Sequence, residues 1–182
     1  MSWRLCYSEQ DIKMTAINPN GLVVQDKLIV APCKMELRDP LGQIVRMMPG
    51  SEFILKNTHL GIRPEYYGKI GILRKGNCGK YRTSCWLTTY PSAEPADILV
   101  QKGAIDNTDD IFVFLGALAI TEFDDKNTPY GICFVKQGSK VTLEYDTSKN
   151  NEERYHVAGR SNITNEEYDL FINEIYDPRK WK

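Results

Sequence analysis

Three groups of residues have the types and spacing to do chemistry. The first is Gly103-Ala104-Ile105-Asp106, a turn that leaves one carboxylate at the mouth of a strand. A carboxylate at the rim of a buried sheet can serve as a general base. The same Asp can equally end a loop, because its side chain hydrogen-bonds its own following backbone. The second group is RKGNCGKYR, residues 74–82, which sets Arg74, Lys75, Lys80 and Arg82 around Gly76 and Gly79. Glycine lets backbone N–H groups turn toward an anion and the cations supply charge, so the stretch can hold phosphate. It lacks the Gly-Lys-Ser/Thr of a P-loop. Such a charged loop also keeps an edge strand from pairing. The third group is Tyr155-His156-Val157-Ala158-Gly159-Arg160-Ser161. It either folds over a phosphate chain or makes an ordinary turn before a helix.

Other pairings carry less chemistry. Cys78 and Cys85 are seven apart with His59 upstream. That is not the spacing of a zinc knuckle or ribbon, and buried structural cysteine is the simpler reading. No metal ligand is assigned. His59 and His156 stand without a nucleophile-elbow pattern. Trp181 among Arg179, Lys180 and Lys182 is too short a stripe for a nucleic-acid surface.

The elements that must position these groups are mostly strands. Ser8-Glu9-Gln10-Asp11 carries an N-cap signature ahead of Ile12 and Met14, which predicts a short helix over residues 9–15. Asn18-Pro19-Asn20-Gly21 is a turn. Short β runs follow at 22–24, 28–31, 34–38, 43–48, 52–56, 69–73 and 83–90, with turn signals about every ten residues. That rhythm argues for an all-β sandwich or barrel. Asp39-Pro40-Leu41-Gly42 and Met48-Pro49-Gly50 are turns, and residues 91–95 form a loop. Two longer runs, 111–120 and 130–145, flank an acidic connection at 124–127, and Gly138 makes a tight turn inside the second. Residues 147–153 are polar. Thr164-Asn165-Glu166-Glu167 is a capping box opening a helix with Tyr168, Phe171, Ile172 and Ile175 on one face, stopped by Pro178.

With 182 residues, the chain reads as one domain: helix and turn at 1–20, β core at 21–146, polar tail and helix at 147–182. Net charge is −1, so bulk attraction to nucleic acid or anionic membrane is not expected. No apolar run approaches the roughly 20 residues of a membrane span. Residues 1–14 lack the apolar region of a signal peptide. The five cysteines form no C-x-x-C pair, which favours reduced thiols and a cytoplasmic setting.

The ordered series of segments over residues 5–145 resembles the dCTP deaminase and dUTPase superfamily. YSEQDIK, residues 7–13, is similar to that family's opening "LSDRDI"; Ile17-Asn18-Pro19 and Val24-Gln25 are similar to "IEPF…VQ". Residues 31–38 stand where "QPASYDLRL" would fall. PGSEFIL at 49–55 resembles "PGEFVL", and IRPEYYGKI at 62–70 resembles "LPDDLAGRV". GAID at 103–106 and the run 135–143 complete the series.

The resemblance implies a mainly β fold, a distorted β-barrel or jelly roll with a short helix at each end. It implies a homotrimer with sites at subunit junctions and a deoxypyrimidine triphosphate bound with Mg²⁺ through its phosphates. By the same resemblance Asp106 is the catalytic base beside the deoxyribose, with Ala104 and Ile105 at the nucleoside. Arg74, Lys75 and Lys80 meet the phosphates. Arg160 and Ser161, with Tyr155 and Gly159, stand for the C-terminal phosphate clamp. The chain departs from the family in three ways. Lys75 replaces a phosphate-binding Ser. The connection after GAID is about two residues shorter, with Asp109 and Asp110 added and the deoxyribose-stacking aromatic lost. The deaminase's catalytic Glu falls on Phe114, which cannot shuttle protons. Two functions follow: a deoxynucleotide-binding hydrolase relative with a partly degraded site, or a catalytically inactive trimeric barrel serving as a viral, structural or regulatory binding module.

Overall fold

The computed structural model describes residues 2–58, 61–74, 95–123, 129–145 and 155–182. They form thirteen strands and one helix: β1 Arg4–Ser8, β2 Ile29–Val30, β3 Met35–Arg38, β4 Ile44–Met47, β5 Glu52–Thr58, β6 Gly61–Tyr67, β7 Ile70–Arg74, β8 Ala96–Lys102, β9 Thr108–Leu115, β10 Ala117–Phe123, β11 Pro129–Lys136, β12 Ser139–Tyr145, β13 Tyr155–Asn162 and α1 Asn165–Phe171. The large sheet has the order β1-β3-β4-β7-β8-β9-β12-β13, and two small sheets are β2-β5-β6 and β10-β11. Every ladder is antiparallel.

Side-chain alternation explains the layers. On the inner face of the large sheet, Met35, Leu37, Val45, Met47, Ile70, Ile72, Ile98, Val100, Ile111, Val113, Val141 and Leu143 join one core. Ile29, Phe53, Leu55 and Tyr66 enter it from one small sheet, and Leu118, Ile120, Cys133 and Val135 from the other. The outer face is buried too. Leu73, Leu99, Phe112 and Phe114 form a second cluster with Ile163, Phe171, Ile175 and Trp181 of the C-terminal segment. Strands covered on both faces read as unbroken apolar runs such as Ile111–Leu115, a pattern that hides the alternation.

The C-terminal segment begins as the capping box predicts. Thr164 Oγ1 accepts from Glu167 N at 3.2 Å, and Glu167 Oε2 accepts from Thr164 N at 2.8 Å. After α1 the chain widens into a π-turn, Ile172–Tyr176, which buries Ile175 and leaves Ile172 exposed, contrary to the expected face. The turn ends at Asp177, since the residue before a proline is pushed out of helical geometry. Gly71 leaves room for this segment to pack against the sheet. A Cβ there would lie 2.1 Å from Ile175 Cγ2.

Four further expectations are corrected. Residues 9–15 form no helix. Ser8, the expected cap, ends β1 with its hydroxyl 3.3 Å from Cys33 Sγ, and Glu9 N bonds Lys34 O. Ile12 and Met14 are two residues apart, a spacing that lets an extended chain turn both toward the core. The run 111–120 breaks at Gly116 (φ +77), where a Cβ would meet Pro95 O at 2.5 Å, and the chain passes there from the large sheet to a small one. The turn at Gly138 is present, but it joins β11 to β12 across two sheets and does not close a hairpin. Among the described residues the strands do not close into a barrel. The outer edge of β1 is taken by residues 21–23, through Leu5 N to Gly21 O and Val23 N to Trp3 O, both within hydrogen-bond range at 2.8 and 2.9 Å.

The turns of the first half are as read. Asn18 Oδ1 accepts from Asn20 N and Leu22 N, and Asp39 Oδ1 accepts from Leu41 N and Gln43 N between β3 and β4. The strand expected at 83–90, nearly all of the loop at 91–95, the connection at 124–127 and the polar stretch at 147–153 lie outside the described residues.

Candidate functional site

The GAID turn joins β8 to β9. It closes on itself: Gly103 N donates to Thr108 O at 2.8 Å, and Thr108 Oγ1 donates to Ile105 O at 2.6 Å. Asn107 takes a left-handed conformation (φ 63) that brings the chain back into β9. The turn's own bonds therefore leave Ala104, Ile105 and Asp106 outside. Ile105 is 72% exposed, and the Asp106 side chain 94% exposed with Lys102 Nζ 3.8 Å away. Among the described residues no wall encloses that carboxylate. Asp110 of β9 accepts from Thr142 Oγ1 at 2.6 Å, so its charge is already engaged across the sheet.

Arg74 ends β7 opposite Ala96, whereas Lys102 at the other end of β8 pairs with Asp109. Six strand residues separate those rows, about 20 Å at ~3.3 Å per residue. One chain alone does not bring Arg74 to Asp106. Lys75, Lys80, Cys78, Cys85 and His59 lie outside the described residues. Phe114, at the position matched to a catalytic Glu, sits on the outer face of the large sheet. Its ring stacks on Phe171 with centroids 3.9 Å apart and meets Tyr168 edge-on at 5.1 Å.

The third group fares differently. The segment read as a clamp or a turn is the regular strand β13, paired along its length with β12. A bulge opposite Thr142 and Leu143 shifts the register near Gly159. Beyond it Val141 faces Arg160, Lys140 faces Ser161 and Ser139 faces Asn162. Cross-strand partners share a face, so Arg160, Ser139 and Asn162 line one side of the ladder's end, and Lys140 and Ser161 the other. The chain enters this corner from β11, whose Phe134 and Lys136 alternate with the buried Cys133 and Val135.

These residues enclose a groove of ≈ 340 Å³, lined by Phe134, Val135, Lys136, Ser139, Lys140, Val141, Arg160, Ser161 and Asn162. That volume is within the range of small-molecule sites, about 300–1,000 Å³. The described lining contributes three cations, two hydroxyls and a carboxamide, and no carboxylate. Arg160 Nη2 lies 2.8 Å from Cys133 Sγ, which anchors the guanidinium against the core. Lys140 Nζ pairs with the Glu167 carboxylate and lies 5.3 Å over the Phe112 ring. Burial raises the Glu167 carboxyl, but hydrogen bonds from Lys140 and the Thr164 backbone outweigh it and hold the group below its ordinary range. Lys136 is exposed and makes no ion pair among the described residues. The corner is suited to hold an anion rather than to attack one.

Arg160 and Ser161 were chosen from sequence, and Lys136, Lys140, Ser139 and Phe134 were missed. Their signal was VKQGSK, with two lysines flanking the Gly138 turn.

A second polar cluster holds the fold together. Arg46, buried on β4, donates to Glu36 Oε2 at 2.8 Å, to Ile175 O at 2.5 Å and to Tyr176 O at 2.8 Å. Trp181 covers its guanidinium at 5.2 Å. These contacts fasten the C-terminal segment to the outer face. Among the described residues, no group of three or more His, Cys, Asp or Glu is placed to hold a metal ion, and no helix is long and apolar enough to cross a membrane. Of the described cysteines, Cys6 and Cys33 are free thiols.

No protein-family model and no curated protein matches this chain.

Proposed function

We propose that this chain is a deoxynucleotide-binding protein on a jelly-roll-type β scaffold of the dUTPase kind, which grips its ligand by the phosphates and has no deaminase activity. The observation that carries the reading is the groove. Arg160 and Ser161, the sequence candidates for phosphate contact, line it with Lys136, which makes no ion pair among the described residues, while Lys140 is held by Glu167 on the other side of the ladder. A guanidinium and an ammonium group beside a hydroxyl give charge-assisted hydrogen bonds to phosphate oxygens. The Mg²⁺ of such a ligand would ride on the phosphates themselves. A homotrimer fits the Asp106 turn: with Ile105 and Asp106 projecting from the sheet, a neighbouring copy's surface would complete any site that uses them.

The alternative, an inactive trimeric module with a structural or regulatory role, is favoured by Phe114. Its ring is part of an aromatic stack under α1 rather than of any ligand cavity. The two readings separate in one assay. Thermal shifts with dUTP and dCTP, with and without Mg²⁺, should rise for the native protein and stay flat for Arg160→Ala. Saturation at 100 times Kd corresponds to about 2.7 kcal/mol of stabilisation. Pyrophosphate release that disappears in Asp106→Asn would mark a working hydrolase. A flat response to every deoxynucleotide would remove the nucleotide reading and leave the inactive module.

A further inference from the structure

The groove carries an exposed aromatic side chain that phosphate binding does not use. Phe134 is 61% exposed on β11. A lone exposed apolar side chain is ordinary on a protein surface and means nothing by itself. Phe134 differs because it lines the same groove as Lys136, Lys140 and Arg160. Its position on the strand is also telling. Cys133 and Val135 point into the core, so Phe134 and Lys136 share the other face of β11. They are about 7 Å apart along the strand. An aromatic ring and an ammonium at that separation match a planar base and the phosphate chain joined to it through a sugar. On the far wall, the exposed Arg160 has Nη2 2.8 Å from Cys133 Sγ, which leaves its other guanidinium N–H groups for an incoming phosphate.

We propose that Phe134 is the platform on which a nucleotide's base stacks, with the phosphates reaching Lys136 and Arg160. This rests on the reading of the groove as a phosphate site. Stacking on an aromatic face accepts any base, because every base has a π-face. The ligand class is therefore nucleoside phosphates of either purine or pyrimidine type. That is broader than a deoxypyrimidine-only pocket and different from inorganic polyphosphate.

The test is a calorimetric titration of dUTP, dATP and inorganic triphosphate, each with Mg²⁺, against the native chain, Phe134→Ala, Phe134→Trp and Arg160→Ala. Phe134 is exposed, so its replacement should leave the fold intact, and a melting curve of each variant checks this. The native chain should bind dUTP and dATP within about tenfold of each other. Phe134→Ala should weaken both roughly 5- to 150-fold and leave inorganic triphosphate unchanged. Phe134→Trp should keep or improve nucleotide binding. Arg160→Ala should weaken all three ligands. If Phe134→Ala binds nucleotides as tightly as the native chain while Arg160→Ala does not, the platform is refuted and the phosphate groove stands. If the native chain binds none of the three ligands, the groove reading falls and the platform falls with it.

Discussion

Asp97 is the most informative single position for the energetics of this fold. It lies on β8 between Ala96 and Ile98, which both face the main core, so its carboxylate faces the outer layer beside its cross-strand partner Leu73. It makes no hydrogen bond or ion pair among the described residues. Burial pushes its pKa up to about 6, with the Arg46 charge pulling the other way. The sign of the consequence is fixed by linkage. Between pH 4 and 6 the folded state holds a proton that the unfolded state has released, so stability falls as pH rises through that window. Above it, the charged form is a standing cost. A shift from 3.8 to about 6 corresponds to about 3 kcal/mol at full value. Asp97 is only half-buried, and solvent screening reduces that to about 1–1.5 kcal/mol. Asp97→Asn keeps the shape and removes the charge. It should raise Tm at pH 8 by about 3–5 °C in a chain of this size. At pH 4.5, where the native carboxyl is mostly protonated, the difference should shrink to about 1 °C. The assay is differential scanning calorimetry of both proteins from pH 4.5 to 8. An equal difference at both ends, or a variant less stable at pH 8, would refute the claim that desolvation governs this group.

Two further outcomes follow from the outer layer. Phe114→Glu, which restores the residue type of a deaminase, should lower unfolding free energy by more than about 3 kcal/mol in urea titration and release no ammonia from dCTP, because it trades an aromatic stack for a buried charge. Arg46→Met should cost about 3–5 kcal/mol and red-shift Trp181 emission, since it leaves Glu36 in a buried site with one partner and the carbonyls of Ile175 and Tyr176 unmet.

Features decided within a few residues were legible in the chain. Asn18 and Asp39 close their turns with their own side chains, and Thr164 with Glu167 caps α1, because each needs only neighbours within four positions. The mainly β character followed from the same kind of local spacing. Residues 9–15 carry an equally local helix signature, but β1 pairing and the core beneath Ile12 and Met14 outweigh it. Arg160 and Ser161 could be chosen by type. That Lys136, Lys140 and Phe134 would stand with them could not, because β11 and β12 belong to different sheets.

The amino-acid order sets where strands start, turn and stop, since those choices depend on backbone conformations that individual residues permit. Which faces are covered, which cations share a corner and which carboxylate is left in water depend on pairings between segments far apart in the chain. In the sequence Asp106 is the leading candidate and Arg160 a lesser one. Packing put one on an exposed turn closed by its own backbone and the other in a groove walled by three strands.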